Sequence, residues 1–175
     1  DTGIYKGEHM LIFADNHDVI RAASVLKDKK HLRLLYGLMF AMPGIPCIYY
    51  GSEWGIEGTK ENGSDYPLRP EIQKPEFNEL SESIAKFAKI HKQEKALLYA
   101  PYKAVLLTNR QLVFEREYEG ERIWVAINID SNPYYADFTN AGVKGDAQDL
   151  LNGGDVSLLS GIELAPYSIY YWKFK

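Results

Sequence analysis

Hydrophobic and polar positions divide the chain into two patterns. His9 to Ala14 (HMLIFA) is a short, almost unbroken apolar run, which predicts a strand buried on both faces of a parallel sheet. A helix is expected next. Asp28 stands where a cap belongs, and Leu32, Leu35, Tyr36, Met39 and Met42 recur at spacings of three and four until Pro43 and Gly44 stop them. Ile45 to Tyr50 (IPCIYY) is a second apolar run bounded by Pro and Gly, again of strand length, so the order strand, helix, strand makes a βαβ unit. Gly51 to Pro75 has little periodicity and carries four glycines and three prolines. So long a loop is a functional candidate. Phe77, Leu80, Ile84, Phe87 and Ile90 then form the apolar stripe of a second helix.

After about residue 98 the period changes from helical to alternating. LLYAP (97–101) reads as a linker. Beyond it, RQLVFERE (110–117), RIWVAINI (122–129) and YSIYYWKF (167–174) read as short strands separated by the turn signals EGE, SNP, NGG and APY. EYEGER is the tip of a hairpin centred on Glu119 and Gly120. Strands without intervening helices predict an antiparallel β-sandwich, so the fold class is α/β plus all-β, with one unit over 1–98 and another over 99–175.

Composition narrows the function classes. The 175 residues are 46% hydrophobic and 25% charged, enough to bury a core. The net charge of −4, with Lys and Arg scattered, argues against nucleic acid as a partner. No stretch approaches the roughly 18 apolar residues of a membrane span. The single cysteine, Cys47, lies inside IPCIYY and is expected to be a buried core thiol with no nucleophilic role. The chain opens on Asp1 without a charged-then-apolar leader; any targeting segment would lie outside these residues, and localisation is left open.

Chemistry collects at the strand ends. In a parallel βαβ unit both strands open on the same side of the sheet, where ligand and catalytic groups gather. Asp15, Asn16, His17 and Asp18 leave the first strand, and Ser52, Glu53 and Trp54 leave the second. Two carboxylates and a histidine around one cleft suit general acid/base chemistry or a metal site. Two other readings are open: Asp15 and Asn16 as ordinary turn formers, and His17, Asp18 and Glu53 as a mononuclear metal site.

FADNHDVIR, followed after a helix ending in MPG by IPCIYYGSEWG, resembles the last two strand regions of the α-amylase superfamily, glycoside hydrolase family 13. In that family F-x-x-N-H-D ends barrel strand seven and G-I/T-P-x-I-Y-Y-G-x-E-x-G spans strand eight. The resemblance implies the last quarter of a TIM (β/α)8 barrel followed by the β-sandwich typical of these enzymes. It makes Asp18 the third catalytic carboxylate, which stabilises the transition state, and His17 a hydrogen-bonding partner of sugar hydroxyls. Asp65 and Arg69 in GSDYPLR match an acid-x-x-x-Arg pair that neopullulanase- and cyclomaltodextrinase-like members use to hold the neighbouring glucose. A plain surface salt bridge is the alternative for that pair. Glu53 is expected to stand behind the site, and Tyr50 and Trp54 to be core.

The family's nucleophile, an aspartate in G-x-R-x-D, and its acid, a glutamate at strand five, have no counterpart here. The resemblance therefore implies a piece of an enzyme acting on an α-glucan or maltooligosaccharide; no cofactor or metal ligand is expected among these residues, and calcium in the intact enzyme is left open. Such a piece, inactive alone, would self-associate through its exposed barrel edges, while the sandwich folds independently. The competing class is a non-catalytic carbohydrate-binding or structural module, docking through Tyr134, Tyr135, Tyr170, Tyr171 and Trp172.

Overall fold

In the computed structural model, which describes residues 8–143 and 145–175, the two apolar runs do lie side by side and parallel. Strand β1 (Leu11–Ile12) pairs with β2 (Ile45–Pro46) in the register Leu11 to Ile45 and Ile12 to Pro46. The ladder is carried on by Ile45 N–H donating to Met10 O at 2.9 Å and Cys47 N–H to Ile12 O at 2.8 Å. Between them come a short helix α1 (Ala22–Val25), which the periodicity does not show, and α2 (Lys30–Ala41). The Asp28 carboxylate accepts Lys30 N–H at 3.0 Å at the start of α2. The burial expected on both strand faces is not found. Met10, Leu11, Phe13 and Ile45 are all at least 47% exposed, because among the described residues nothing covers them. Cys47 is correspondingly half-buried rather than core.

Helix α3 (Glu79–Gln93) starts with a capping box, in which Asn78 Oδ1 accepts the N–H of Ser81 and the Ser81 hydroxyl reaches back to Asn78 N–H. Ile84, Phe87 and Ile90 are buried as the stripe predicts, but Phe77 precedes the cap and is 73% exposed. The stretch read as a linker is mostly helix: α4 spans Lys95–Tyr99, with Ala96 and Leu97 fully buried.

Everything beyond α4 is antiparallel. Strands β3 (Tyr102–Leu107), β4 (Gln111–Tyr118), β5 (Glu121–Asn128), β6 (Tyr134–Asp137), β7 (Asp146–Asp149), β8 (Asp155–Ser157), β9 (Gly161–Leu164) and β10 (Ser168–Phe174) form two sheets. One has the order β3-β4-β5-β10-β7-β8, and the other is the pair β6-β9. At the β4–β5 hairpin Tyr118 pairs with Glu121, and Glu119 and Gly120 both have positive φ, as a two-residue hairpin turn requires.

The middle of the six-stranded sheet, β4, β5 and β10, is buried on both faces, which explains why IWVAI is apolar at every position. Trp124, Ala126 and Trp172 pack against Ala136, Phe138 and Leu164 from the side of the small sheet. Phe114, Ile123, Val125, Ile127, Ile169 and Tyr171 point the other way and share a core with Leu34, Tyr36, Phe87 and Leu97. Helices and sheet thus have one continuous interior across residue 98. Most aromatic rings of the tail are spent in it: Tyr171 and Trp172 are fully buried and Tyr170 stacks on Trp172, leaving Tyr135 exposed.

Candidate functional site

The backbone leaves β1 through a buried carboxylate. Asp15 is 2% exposed; its Oδ2 accepts Ala22 N–H at 2.8 Å, and Ser52 Oγ lies 2.7 and 2.9 Å from its two oxygens. It therefore fastens the end of β1 to the turn after β2, instead of forming a local turn. The turn reading holds one residue on, where Asn16 Oδ1 accepts Asp18 N–H at 2.8 Å. The Tyr36 hydroxyl is buried in the same neighbourhood; burial first, then the Asp15 charge, pushes its ionisation far above the ordinary phenol range.

That turn sets His17 and Asp18 outside the buried network. Arg69 comes to meet them from the long loop: its Nη2 donates to Asp18 Oδ1 at 3.0 Å and its Nε to the His17 carbonyl at 3.1 Å. His17 Nε2 lies 3.2 Å from Asp18 Oδ2. Asp65 Oδ2 is 3.8 Å from Arg69 Nη2, and Lys60 Nζ is 2.8 Å from Asp65 Oδ1. Hydrogen bonding from Lys60 holds the Asp65 carboxyl below its ordinary pKa, so it is ionised at neutral pH. The structure thus brings His17, Asp18, Asp65 and Arg69 into one exposed cluster, Asp18 being 58% and Arg69 46% open to solvent. Tyr49 and Tyr50 form one wall, the His17 ring standing 6.3 Å from that of Tyr49.

Two neighbouring expectations change. Tyr50 is 42% exposed and donates its hydroxyl to Pro70 O at 2.9 Å, so it is not core. Trp54 is half-buried, and its carbonyl accepts Asn78 Nδ2 at 3.1 Å. The Glu53 backbone carbonyl accepts the Ser81 hydroxyl at 2.9 Å, while its Oε2 is buried without a partner among the described residues. His17, Asp18 and Glu53 accordingly do not converge: among the described residues no group of three or more His, Cys, Asp or Glu is placed to hold a metal ion. No helix among them is long and apolar enough to cross a membrane.

Sequence reasoning missed the buried half of the site. Arg21 closes the FADNHDVIR stretch but was given no role there; it is fully buried, and its guanidinium lies 4.2 Å from the Tyr49 ring. The Leu68 carbonyl and Lys60 are equally silent, and Ser52 stands out only as a residue leaving the second strand. An arginine closing a strand-end motif full of acids was the one available signal.

The arrangement can do two things chemically. A fixed, hydrogen-bonded carboxylate beside an imidazole and a guanidinium can grip vicinal hydroxyls, and it can lower the energy of positive charge developing on a bound group. Nothing in the cluster is placed as a nucleophile with its own base.

Comparison with known proteins gives the family. The family described as the α-amylase catalytic domain matches residues 3–101, more than half of the chain. A cyclomaltodextrin glucanotransferase of Bacillus sp. strain 38-2 is 29% identical over 153 residues, covering 86% of this chain and 20% of its own length. An intracellular maltogenic amylase of Bacillus subtilis is 35% identical over 96 residues, covering 52% of this chain and 16% of its own. The solved structure of an Anoxybacillus α-amylase superposes on 97% of this chain and 39% of its own with a TM-score of 0.83 at 22% identity, a likeness of fold. The chain spans about a fifth of the length of the curated relatives it matches.

Proposed function

The chain belongs to the α-amylase family, and from that premise we propose that it is the C-terminal part of a glycoside hydrolase acting on α-glucosidic bonds of starch-derived oligosaccharides. Residues 1–98 are the last quarter of its (β/α)8 catalytic barrel, and residues 99–175 its C-terminal antiparallel β-sandwich. The substrate is an α-glucan or maltooligosaccharide. The bond is cleaved with retention of configuration, with nucleophile and general acid supplied by barrel residues outside this chain, which alone is inactive. The relatives named above are starch-related transferases and amylases by name, in keeping with this substrate class.

The observation that carries the reading is the meeting of Asp18, His17 and Arg69 beyond the C-terminal ends of two parallel strands, where barrel enzymes keep their chemistry. Glycoside cleavage passes through an oxocarbenium-like state, so the Asp18 carboxylate stabilises the positive charge that appears at the anomeric carbon. His17 donates to a sugar hydroxyl at the cleavage position. Asp65 and Arg69 hold the neighbouring glucose, and Arg69 also keeps Asp18 from rotating away.

The test is Asp18→Asn in the intact enzyme containing these residues. The amide keeps the shape and loses the charge, so kcat is expected to fall by at least about 100-fold, by analogy with removal of one preorganised transition-state contact. The thermal transition should stay in place, since the side chain is exposed. A variant retaining most of its kcat would defeat the role given to Asp18.

A further inference from the structure

Exposed ion pairs do little to fix the side chains that make them, yet the Asp18–Arg69 pair and the Arg69 bond to the His17 carbonyl require the long loop to stand in one place. What holds it there is buried. Arg21 donates from Nε and Nη2 to the carbonyl of Leu68 at 3.2 and 2.8 Å, and from Nη1 to the Tyr50 carbonyl at 2.8 Å and Ser52 Oγ at 3.0 Å. Its own backbone N–H donates to Gly58 O at 3.0 Å. The loop is closed tightly around it: a Cβ at Gly58 would come within 2.9 Å of the Pro67 carbonyl and 3.1 Å of Arg21 Cγ.

Leu68 directly precedes Arg69. We propose that Arg21 is the positioning residue of this site: by clasping the Leu68 carbonyl with two parallel N–H groups, it sets Arg69 against Asp18 and the His17 carbonyl. The proposal rests on the reading of Asp18 and Arg69 given above. Every acceptor that Arg21 uses is a carbonyl or a hydroxyl, so its charge stays directed at the two chain segments it joins, the turn after β2 and the residue before Arg69. Ser52 links the same cation to Asp15, so the ends of β1 and β2 are tied to one hub. Lysine cannot replace it, because a single ammonium lacks the planar fork that reaches Leu68, Tyr50 and Ser52 together.

The experiment is made on the 15N-labelled 175-residue chain, with arginine Nε–H resonances assigned by single Arg→Lys replacements. In the wild type the Arg69 Nε–H is protected by the His17 carbonyl. In Arg21→Lys its exchange with water is expected to be about tenfold faster, the effect of losing a charge-assisted hydrogen bond. Backbone amide protection in β4 and β5 stays unchanged, a pairing that a role confined to general stability would not give. Ser52→Ala, which removes one of the Arg21 acceptors, should accelerate the same proton about threefold. An unchanged Arg69 rate in Arg21→Lys, with amide protection intact, overturns the proposal. Should that variant not fold, an unchanged rate in Ser52→Ala overturns it equally. Failure of the functional reading looks different: Arg69 responds as expected on the chain, while Arg69→Lys leaves kcat/KM of the intact enzyme unaltered.

Discussion

Among the described residues two arginines are buried without a carboxylate on their guanidinium, and the second shows what such a residue is for. Arg116 on β4 is fully buried; it donates to the carbonyls of Ala100 at 2.9 Å, Leu97 at 3.0 Å and Ala41. Those oxygens lie in the last turns of α2 and α4 or just beyond, where unpaired carbonyls carry partial negative charge. Burial lowers its pKa to about 10, which still leaves it charged at neutral pH. Arg116→Lys keeps the charge and loses the fork, stranding carbonyls, so the urea midpoint should drop by the equivalent of about 2 kcal/mol. Equal midpoints would mean that these carbonyls find other donors. The chemistry of Arg21 and Arg116 was not legible beforehand for one reason: apart from the Ser52 hydroxyl on Arg21, their partners are backbone oxygens, which no pattern of side chains reports. The exposed half of the site was legible, because Asp18, His17, Asp65 and Arg69 stand in side-chain motifs that resemble those of a known family, and Arg69 pairs with both carboxylates by charge.

At the level of elements, the packing of α3 on α2 contains a proton-sensitive joint. His91, 7% exposed, donates Nδ1–H to the Phe40 carbonyl at 2.7 Å, with its ring edge-on to Phe40. Burial, assisted by the nearby Arg116 charge and opposed by the Phe40 bond, holds its pKa below the usual 6.5. In the unfolded chain His91 takes up its proton near that ordinary value, whereas the folded chain resists it. Over that interval the unfolded state binds more protons, and stability falls as pH drops from about 6.5 through the folded pKa. His91→Gln should flatten the stability profile between about pH 5 and 7, read from urea midpoints at each pH. A slope equal to the wild type would place the titration elsewhere. This joint explains what periodicity could and could not deliver. The stripes of α2 and α3 and the parallel course of β1 and β2 follow from apolar spacing. Helix α4 was hidden because Leu97 and Ala100 are anchored by Arg116 from a strand remote in sequence. The two runs read as long strands pair over two residues each because, among the described residues, neither has a neighbour on its other side.

Across the whole molecule, apolar surface is unevenly covered. The middle strands of the six-stranded sheet are packed on both faces, and their core continues into the helices, so the sheet is not expected to unfold separately from α2 and α3. At the opposite end, Met10, Leu11, Phe13 and Ile45 stand open beside a groove of about 270 Å³ lined by Ile12, Phe13, Leu35, Leu38, Met39 and Met42. Unpaired parallel strand edges flanked by an apolar groove are templates for pairing with another chain. The net charge of −4 is too small to keep copies apart. The 175-residue chain is therefore expected to self-associate through β1 and β2, its weight-average mass in sedimentation velocity rising with concentration. Leu11→Lys combined with Ile45→Lys puts charge on that edge while leaving the shared core untouched, and should return a monomer with an unchanged thermal transition. If the wild-type chain instead sediments as a monomer at every concentration, the open edge is protected by something other than a partner. The assignment of this end as the place where the rest of a barrel is joined would then lose its physical support.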